Sequence, residues 1–328
     1  MRTAVICDDK IVIKDAPSIS LDNRKGAVVR VCGCGLCGSD IVKFIHKIAK
    51  NGTVLGHEIV AEIIEINSET NFKIGDIIVT SHHIPCGECI YCKHGNVSMC
   101  EHFKSTNIRP GGFSEYVYLS EEHLKNVAHL KPENLTEVEV SFYEPLGCII
   151  RAVKRINLLE GDRVLVVGLG SIGILTAQAL KAYGMNVIGC DLLAERIEFL
   201  YNLGIDAVDV RELDGEFDGI FMTSGADKAI DTALKHVRNG GKILVFSSTP
   251  SDFSAYANNE IYYRELTVMG SYSPSPADLI DSLELLRTGK VNVKGISTEY
   301  KFDDIQQAFD DTMSNKILKA YIKVKGEK

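Results

Sequence analysis

The chain has 328 residues, of which 45% are hydrophobic and 24% are charged, and its formal net charge is −8. This length and composition suffice for two soluble domains with cores of their own, and the acidic balance without a basic block excludes nucleic acid and anionic membranes as expected partners. No apolar run reaches the roughly 18 residues of a membrane span, and residues 1–10 become charged before a signal-like segment develops. We therefore expect a cytoplasmic protein.

The first 140 residues predict a mostly β domain. Short apolar runs alternate there with turn residues, at 3–7, 11–13, 27–32, 59–66, 74–80 and 113–119. This alternation is typical of short strands that are joined by irregular loops.

A dispersed metal signal lies early in this domain. It consists of Cys34 and Cys37 in a CxxC pair, followed by His57 and Glu58. Cys37, His57 and a carboxylate can hold a zinc ion that keeps a position for water or substrate. On spacing alone, the two cysteines could equally be a redox pair and His57 a core histidine.

A denser metal signal follows, formed by four thiols: Cys86, Cys89, Cys92 and Cys100. Thiolates at such short spacing converge on one soft cation, and four of them leave no open coordination position, which predicts a closed structural zinc site. The alternatives are spare buried thiols or a redox pair. We interpret the neighbouring His82 and His83 as polar residues at a strand end, because a four-thiolate shell has no room for them.

The middle of the chain predicts a dinucleotide-binding site. Residues 163–167 form an apolar run of buried-strand type, and three glycines follow at GxGxxG spacing, namely Gly168, Gly170 and Gly173. These glycines permit a tight turn, the close approach of pyrophosphate, and packing of helix on strand. Ser171 and Ile172 begin the helix whose N-terminus faces the phosphates. The alternative is an ordinary strand-turn-helix with tight glycines.

Asp191 follows the second strand predicted in this region, 186–190. A carboxylate at this position accepts hydrogen bonds from both ribose hydroxyls and repels a 2′-phosphate, so NAD(H) is predicted in preference to NADP(H). Arg196, five residues further on, can partly serve a phosphate. We therefore expect a preference and not an absolute exclusion.

Strands and helices alternate through this part of the chain. Strands are predicted at 163–167, 186–190, 206–209, 217–223, 242–248 and 265–270, with helices from 171 and near 194–203 and 227–238. Such alternation predicts an α/β fold with a Rossmann doubly wound parallel sheet. Two helices, 277–288 and 302–312, and a strand at 320–324 follow, and we expect them to return to the first domain.

Read in order, the motifs resemble those of the zinc-dependent medium-chain alcohol dehydrogenase superfamily, particularly its sorbitol and polyol dehydrogenase branch. They are CGLCGSD, GHE, the four-cysteine cluster, GGFSEY, EPLG and VLVVGLGSIG. The resemblance covers nearly the whole chain. It implies a GroES-like catalytic domain at 1–145, completed by 272–328, and a Rossmann NAD-binding domain at 146–271. It also implies a homodimer or homotetramer with one catalytic and one structural zinc ion per chain.

The resemblance further implies roles in the catalytic zinc site. Cys37 and His57 match zinc ligands, and Glu58 matches the carboxylate beside the ligand histidine. Glu144 stands where the polyol branch has a glutamate. Which of the two glutamates binds zinc directly stays open at this point.

Other implied roles concern the proton and the cofactor. Ser39 matches the hydroxyl that takes the alcohol proton, and Asp40 matches the carboxylate that hydrogen-bonds the ligand histidine. Lys319 matches a basic residue that reaches the cofactor from the C-terminal segment. One departure is Val42, which stands where a relay histidine is often found, while His46 is out of register.

A second departure is the segment between Cys37 and His57, which is shorter than in sorbitol dehydrogenases. We expect the loop 41–55 and the segment 249–263 to shape the substrate pocket, although neither identifies the substrate. A zinc shell that includes glutamates is harder than a two-cysteine shell and suits a substrate that offers a second oxygen.

The expected activity interconverts a secondary alcohol of a polyol or sugar alcohol and its ketone, as sorbitol or L-iditol 2-dehydrogenases do. Threonine or another amino alcohol is the alternative substrate. An alternative of another class is a metal-free member of the fold, either quinone reductase-like or purely binding. This alternative predicts that the zinc ligands are missing from the sequence.

Overall fold

A computed structural model of the chain describes residues 1–226, 228–248 and 258–325. It divides into two compact units. Unit 1 comprises Met1–Glu144, Ser275–Arg287 and Val293–Lys328, and unit 2 comprises Pro145–Pro274 and Thr288–Asn292. Among the described residues, no helix combines the length and apolar character that crossing a membrane requires.

The strands and helices of both units are numbered along the chain. The strands are β1 (Arg2–Cys7), β2 (Lys10–Asp15), β3 (Gly26–Gly35), β4 (Glu58–Asn67), β5 (Ile77–Thr80), β6 (Tyr116–Ser120), β7 (Ala128–Leu130), β8 (Arg163–Val167), β9 (Asn186–Asp191), β10 (Asp206–Asp209), β11 (Phe217–Met222), β12 (Val237–Val245), β13 (Thr267–Gly270), β14 (Ser297–Lys301) and β15 (Lys319–Lys323). The α-helices are α1 (Gly38–Ile45), α2 (Ile90–Lys93), α3 (Glu101–Ser105), α4 (Glu121–Asn126), α5 (Glu137–Val140), α6 (Tyr143–Ile156), α7 (Ser171–Ala182), α8 (Ala194–Asn202), α9 (Ala229–His236), α10 (Asn258–Tyr263), α11 (Pro276–Arg287) and α12 (Ile305–Met313). Short 3₁₀ helices occupy Val97–Met99 and Phe302–Asp304.

Unit 1 is built around β3. Its sheet has the order β14-β15-β3-β4-β5-β7, with β6 also paired to β3, and β1 and β2 form a separate hairpin. Nine of the ten residues of β3 are buried, which explains why this strand is a nearly continuous apolar run instead of an alternating one. Phe309 of α12 packs edge-on against Phe44 and Phe113, so the C-terminal segment contributes to the core of this unit.

The register around β3 brings distant segments together. β3 runs antiparallel to β4 with Gly35 opposite Glu58, and antiparallel to β15 with Gly35 opposite Tyr321. Cys37 follows the end of β3 by two residues, and β15 begins at Lys319. One corner of the sheet therefore receives side chains from three segments that are far apart in sequence.

Unit 2 contains a six-stranded parallel sheet with the order β10-β9-β8-β11-β12-β13. The strand order reverses between β8 and β11, and ligands of open α/β sheets bind at the carboxyl ends of strands at such a switch point. The predicted α/β class and doubly wound sheet are confirmed, and β8 and β10 have the predicted bounds.

Some elements differ from those predicted. β12 spans Val237–Val245 instead of 242–248, because its exposed residues 238–240 give no apolar signal before the strand enters the core. α6 was not predicted, although Leu146, Ile149, Ile150 and Val153 are buried at helical spacing. Of the segment expected at 249–263 to shape the pocket, 249–257 lie outside the described residues.

Candidate active site

Three potential metal ligands meet at the corner of the unit 1 sheet. The ligand atoms of Cys37, His57 and Glu58 lie within 4.8 Å of one another. Cys37 precedes α1 in an extended conformation and its thiol forms no capping hydrogen bond, so the sulfur is available. Glu58 Oε1 is buried and accepts no hydrogen bond from the described residues. A thiolate, an imidazole and a carboxylate are donors that suit an open zinc site, and the residues present fit this metal.

Asp40 orients His57. Its Oδ1 lies 3.5 Å from His57 Nδ1 and also accepts a long hydrogen bond from the Gly56 amide. Burial opposes ionisation of both groups, but their mutual attraction, together with Lys43 acting on Asp40 and Cys37 acting on His57, outweighs it. The pKa of Asp40 is therefore lowered, and that of His57 is raised well above its usual value. Because Nδ1 faces Asp40, Nε2 is the nitrogen that remains for a metal.

Glu58 also forms a buried ion pair with Lys319. The ammonium lies 2.6 Å from Glu58 Oε2 and donates to the Leu36 carbonyl at 3.3 Å. Glu58 is 1% exposed and Lys319 is 4% exposed. Burial alone would lower the pKa of Lys319, but Glu58, Cys37 and Glu144 together outweigh it and the pKa is raised. The resemblance assigns Lys319 to the cofactor. In the structure its ammonium pairs with Glu58, a candidate zinc ligand of unit 1.

Gly35 makes room for this carboxylate. A Cβ atom at position 35 would lie 2.0 Å from Glu58 Oε2, closer than any real contact. Glu144, in the first turn of α6, is 4% exposed, and its charge also raises the pKa of Lys319. Ser39 is exposed in the first turn of α1. The candidate site is thus accompanied by three carboxylates (Asp40, Glu58 and Glu144), the cation Lys319 and the hydroxyl of Ser39.

Two histidines stand closer to the site than the sequence indicated. The His82 ring lies 4.5 Å from that of His57, and the His83 ring lies 3.9 Å from that of His82. Burial lowers the pKa of both, for His83 to about 4. One feature of the sequence could have indicated this proximity. Both histidines follow β5, and β5 pairs with β4, the strand that begins beside His57.

The four cysteines of the dense cluster also converge in unit 1. Their sulfur atoms all lie within 4.8 Å of one another, and the hydrogen-bonded pairs are 3.5–3.9 Å apart. Four sulfurs that each lie about 2.3 Å from a tetrahedral centre are about 3.8 Å apart. All ten cysteines are free thiols, so the cluster fits a four-thiolate zinc ion.

The glycine loop in unit 2 has the shape that a pyrophosphate needs. Gly168 has a φ of +95°, and a Cβ atom on Gly173 would lie 1.8 Å from the Gly168 carbonyl oxygen. A Cβ atom on Gly170 would meet nothing within 4 Å, so space is open beside the backbone there. Ser171 and Ile172 follow in the first turn of α7, whose amides have no partner inside the helix. These residues therefore fit the phosphates of a dinucleotide.

Asp191 ends the neighbouring strand β9 and is fixed by the loop. Its Oδ2 accepts from the Leu169 amide at 2.6 Å, and its Oδ1 accepts from Leu192 and Leu193 at 2.7 and 3.1 Å. Arg196 of α8 lies 3.6 Å from the same carboxylate. The acidic group and its cationic neighbour thus both lie beside the glycine loop.

Comparisons with known proteins agree with this geometry. Residues 23–130 match the alcohol dehydrogenase GroES-like domain, and residues 171–288 match the zinc-binding dehydrogenase family. A sorbitol dehydrogenase of Halalkalibacterium halodurans is 31% identical over 314 residues, which cover 90% of each chain. The chain belongs to the zinc-binding alcohol dehydrogenase family.

Other members of this family match along nearly their whole length. D-xylulose reductase A of Aspergillus oryzae is 29% identical and covers 95% of this chain, with 93% of the relative covered. The structure of galactitol-1-phosphate dehydrogenase from Escherichia coli has the same fold, with a TM-score of 0.87 at 22% identity over 99% of this chain and 100% of that chain.

Family membership confirms the predicted zinc-dependent medium-chain dehydrogenase with a GroES-like domain. The protein is an oxidoreductase that uses zinc and a nicotinamide cofactor.

The first prediction concerns the four-thiolate cluster. Cys92→Ser should remove about one zinc ion per chain and lower Tm by about 5 °C or more, because a closed site couples metal binding to folding. Metal content by mass spectrometry and Tm by calorimetry measure both effects. Cys7→Ser, a half-buried thiol outside the cluster, is the matched control. Unchanged metal content in Cys92→Ser would show that the cluster holds no zinc.

The second prediction concerns the buried ion pair. Lys319→Met should lower the free energy of unfolding by about 3–5 kcal/mol, because it leaves the Glu58 charge buried and unpaired. Lys323→Met, on the same strand, breaks an exposed pair with Glu299 and should cost about 0–1 kcal/mol. Urea unfolding of the zinc-loaded variants compares them. Equal, small losses would contradict the role assigned to Lys319.

Proposed function

We propose that the protein interconverts a secondary alcohol of a polyol or sugar alcohol and the corresponding ketone, with NAD(H) in preference to NADP(H). The observation that carries this proposal is the ligand group of Cys37, His57 and Glu58, in which a carboxylate takes part beside one thiolate. Such a hard shell suits a polyhydroxylated substrate that offers a second oxygen. The names of the relatives, sorbitol dehydrogenase and D-xylulose reductase A, support the same substrate class.

The residues of unit 1 divide the work of alcohol oxidation. Zinc supplies a Lewis acid that lowers the pKa of a bound hydroxyl. Cys37, His57 and Glu58 would hold the ion, and Asp40 keeps the His57 ring in the orientation that frees Nε2. The exposed Ser39 hydroxyl would accept the proton that leaves the alcohol and release its own proton to solvent.

Lys319 compensates the charge of one ligand. Its ammonium lies 2.6 Å from the Glu58 carboxylate, so neither charge is buried without a partner. Glu144 lies in the same buried cluster and is the alternative carboxylate ligand. A second zinc ion would sit in the four-thiolate cluster and stabilise the fold.

The residues of unit 2 bind the cofactor. A bound NAD would supply the hydride acceptor for the oxidation. The open space at Gly170 and the amides of Ser171 and Ile172 would bind its pyrophosphate, and Asp191 its ribose hydroxyls. Because Arg196 lies 3.6 Å from Asp191, part of the negative charge is offset and the NAD preference should be moderate.

The third prediction concerns the reaction. The NAD-reduction screen compares sorbitol, xylitol, galactitol, their phosphates, myo-inositol, threonine, butanediol and ethanol. A polyol should give the highest kcat/KM. Cys37→Ser should lower that kcat/KM at least about 100-fold, because it removes a ligand of the catalytic metal. Cys34→Ala tests the redox-pair alternative and should retain most activity, since Cys34 is not a member of the metal-binding group.

The outcomes of this screen separate the candidates. Ethanol outperforming every polyol would show that the carboxylate argument is wrong, and a threonine preference would favour an amino-alcohol dehydrogenase. Activity that survives complete zinc removal would favour the metal-free class.

The fourth prediction concerns cofactor choice. Asp191→Ala should lower the ratio of kcat/KM for NAD to that for NADP by about 10-fold or more, because it removes an ionised hydrogen-bond acceptor for the ribose. Asp209→Ala is the control, since Asp209 ends the adjacent strand opposite Asp191 and pairs with Arg211. A wild-type enzyme that prefers NADP would refute the assignment.

A further inference from the structure

Lys43 lies on the helix that leaves the candidate zinc site. α1 begins directly after Cys37, and Lys43 follows Ser39 by four residues and Asp40 by three. Residues at these spacings share one face of a helix. The lysine therefore belongs to the same side of α1 as the hydroxyl proposed to accept the alcohol proton.

Lys43 stands out because it forms no ion pair with a described residue. No carboxylate of the described ranges lies within ion-pair distance of its ammonium, although its charge adds to that of His57 in lowering the pKa of Asp40 against the effect of burial. The neighbouring cations differ, because Lys47 pairs with Asp9 at 3.0 Å and Lys319 pairs with Glu58. Lys43 is nevertheless only partly exposed. A half-buried cation without an ion-pair partner requires an explanation.

The carboxylates near Lys43 are already engaged. Asp40 faces the His57 ring at 3.5 Å, and Glu58 is paired with Lys319 and belongs to the metal-binding group. Lys43 lies three residues after Asp40 on α1, on the same face of that helix. The lysine thus stands beside the residue that faces His57 and not at a remote surface.

The histidines beside it offer hydrogen-bonding atoms. His82 Nδ1 is buried and has no hydrogen-bond partner among the described residues. Its ring lies between those of His57 and His83, and His83 Nδ1 is engaged by the Thr106 carbonyl. Leaving a buried polar atom unpaired costs about 1–3 kcal/mol, which a ligand atom can recover.

One positive charge and one unused polar atom beside the metal ligands are the features that an anionic group needs. Lysine binds phosphate or carboxylate as a point charge, and a charge-assisted hydrogen bond is about twice as strong as a neutral one. We infer that the substrate is an anionic polyol, whose phosphate or carboxylate is bound by Lys43 beside the candidate zinc site. This inference rests on the proposed polyol oxidation and narrows its substrate class.

Kinetics of the zinc-loaded enzyme test the inference with three groups of substrates. These are the neutral polyols sorbitol and galactitol, their monophosphates, and hexonates as carboxylates. One anionic class should exceed its neutral parent about 10-fold in kcat/KM. Lys43→Gln should lower that value about 10- to 100-fold, mostly through KM, and leave the neutral polyols within about 2-fold. The phosphate and hexonate results identify which anion is bound.

Two further variants sharpen this test. Lys43→Arg should restore most of the anionic activity, because it keeps the charge, and this result would separate a binding role from a structural one. Lys25→Gln removes an exposed lysine of unit 1 and controls for the change in net charge. Equal losses in Lys25→Gln and Lys43→Gln would overturn the inference.

Inorganic phosphate supplies a readout without turnover. Calorimetry should detect phosphate binding to the zinc-loaded enzyme, and Lys43→Gln should weaken it about 10-fold or more. If no polyol reduces NAD, the proposed function fails and this titration alone decides the inference. If neutral polyols are preferred and Lys43→Gln changes neither kinetics nor phosphate binding, the inference fails while the proposed function stands.

Discussion

The ion pair between Glu58 and Lys319 is almost completely withdrawn from water, and the candidate zinc site depends on it. A charge at 1% exposure is costly to bury unless an opposite charge lies beside it. The ammonium at 2.6 Å from Oε2 compensates the Glu58 charge, and Oε1 accepts no hydrogen bond from the described residues. Gly35 completes the arrangement, because any side chain there would overlap the Glu58 carboxylate.

A second pair of oppositely charged groups lies beside this ion pair. Asp40 compensates His57, so this pair, like Glu58 and Lys319, joins two buried groups that fix each other's charge and orientation. The unit can therefore bury several charges close together, which would be unfavourable for any one of them alone. Lys43 forms no ion pair with a described residue, and for this reason we propose it as a substrate-binding residue.

The candidate site of unit 2 is formed mainly by the backbone, whereas that of unit 1 is formed by charged side chains. Its glycine loop offers amides and open space, and its selectivity is concentrated in Asp191 and Arg196 beside that loop. A backbone cradle recognises phosphates common to all dinucleotides, so the distinction between NAD and NADP is left to these two side chains.

The amino-acid sequence by itself determined the features that depend on short spacing. The four cysteines from Cys86 to Cys100 and the glycines from Gly168 to Gly173 lie close enough along the chain for local geometry to bring them together, and the parallel sheet follows from regular alternation of strands and helices. Periodicity also identified most strands of both units.

Only the tertiary structure decided which distant side chains meet. The pairing of Lys319 with Glu58 and the contact of His82 with His57 depend on the registers of β15, β3, β4 and β5. Strand register is set by packing across the whole sheet, and a shift of one residue would turn each side chain to the opposite face. No local pattern in the sequence carries that information, so these contacts became visible only once the sheet was assembled.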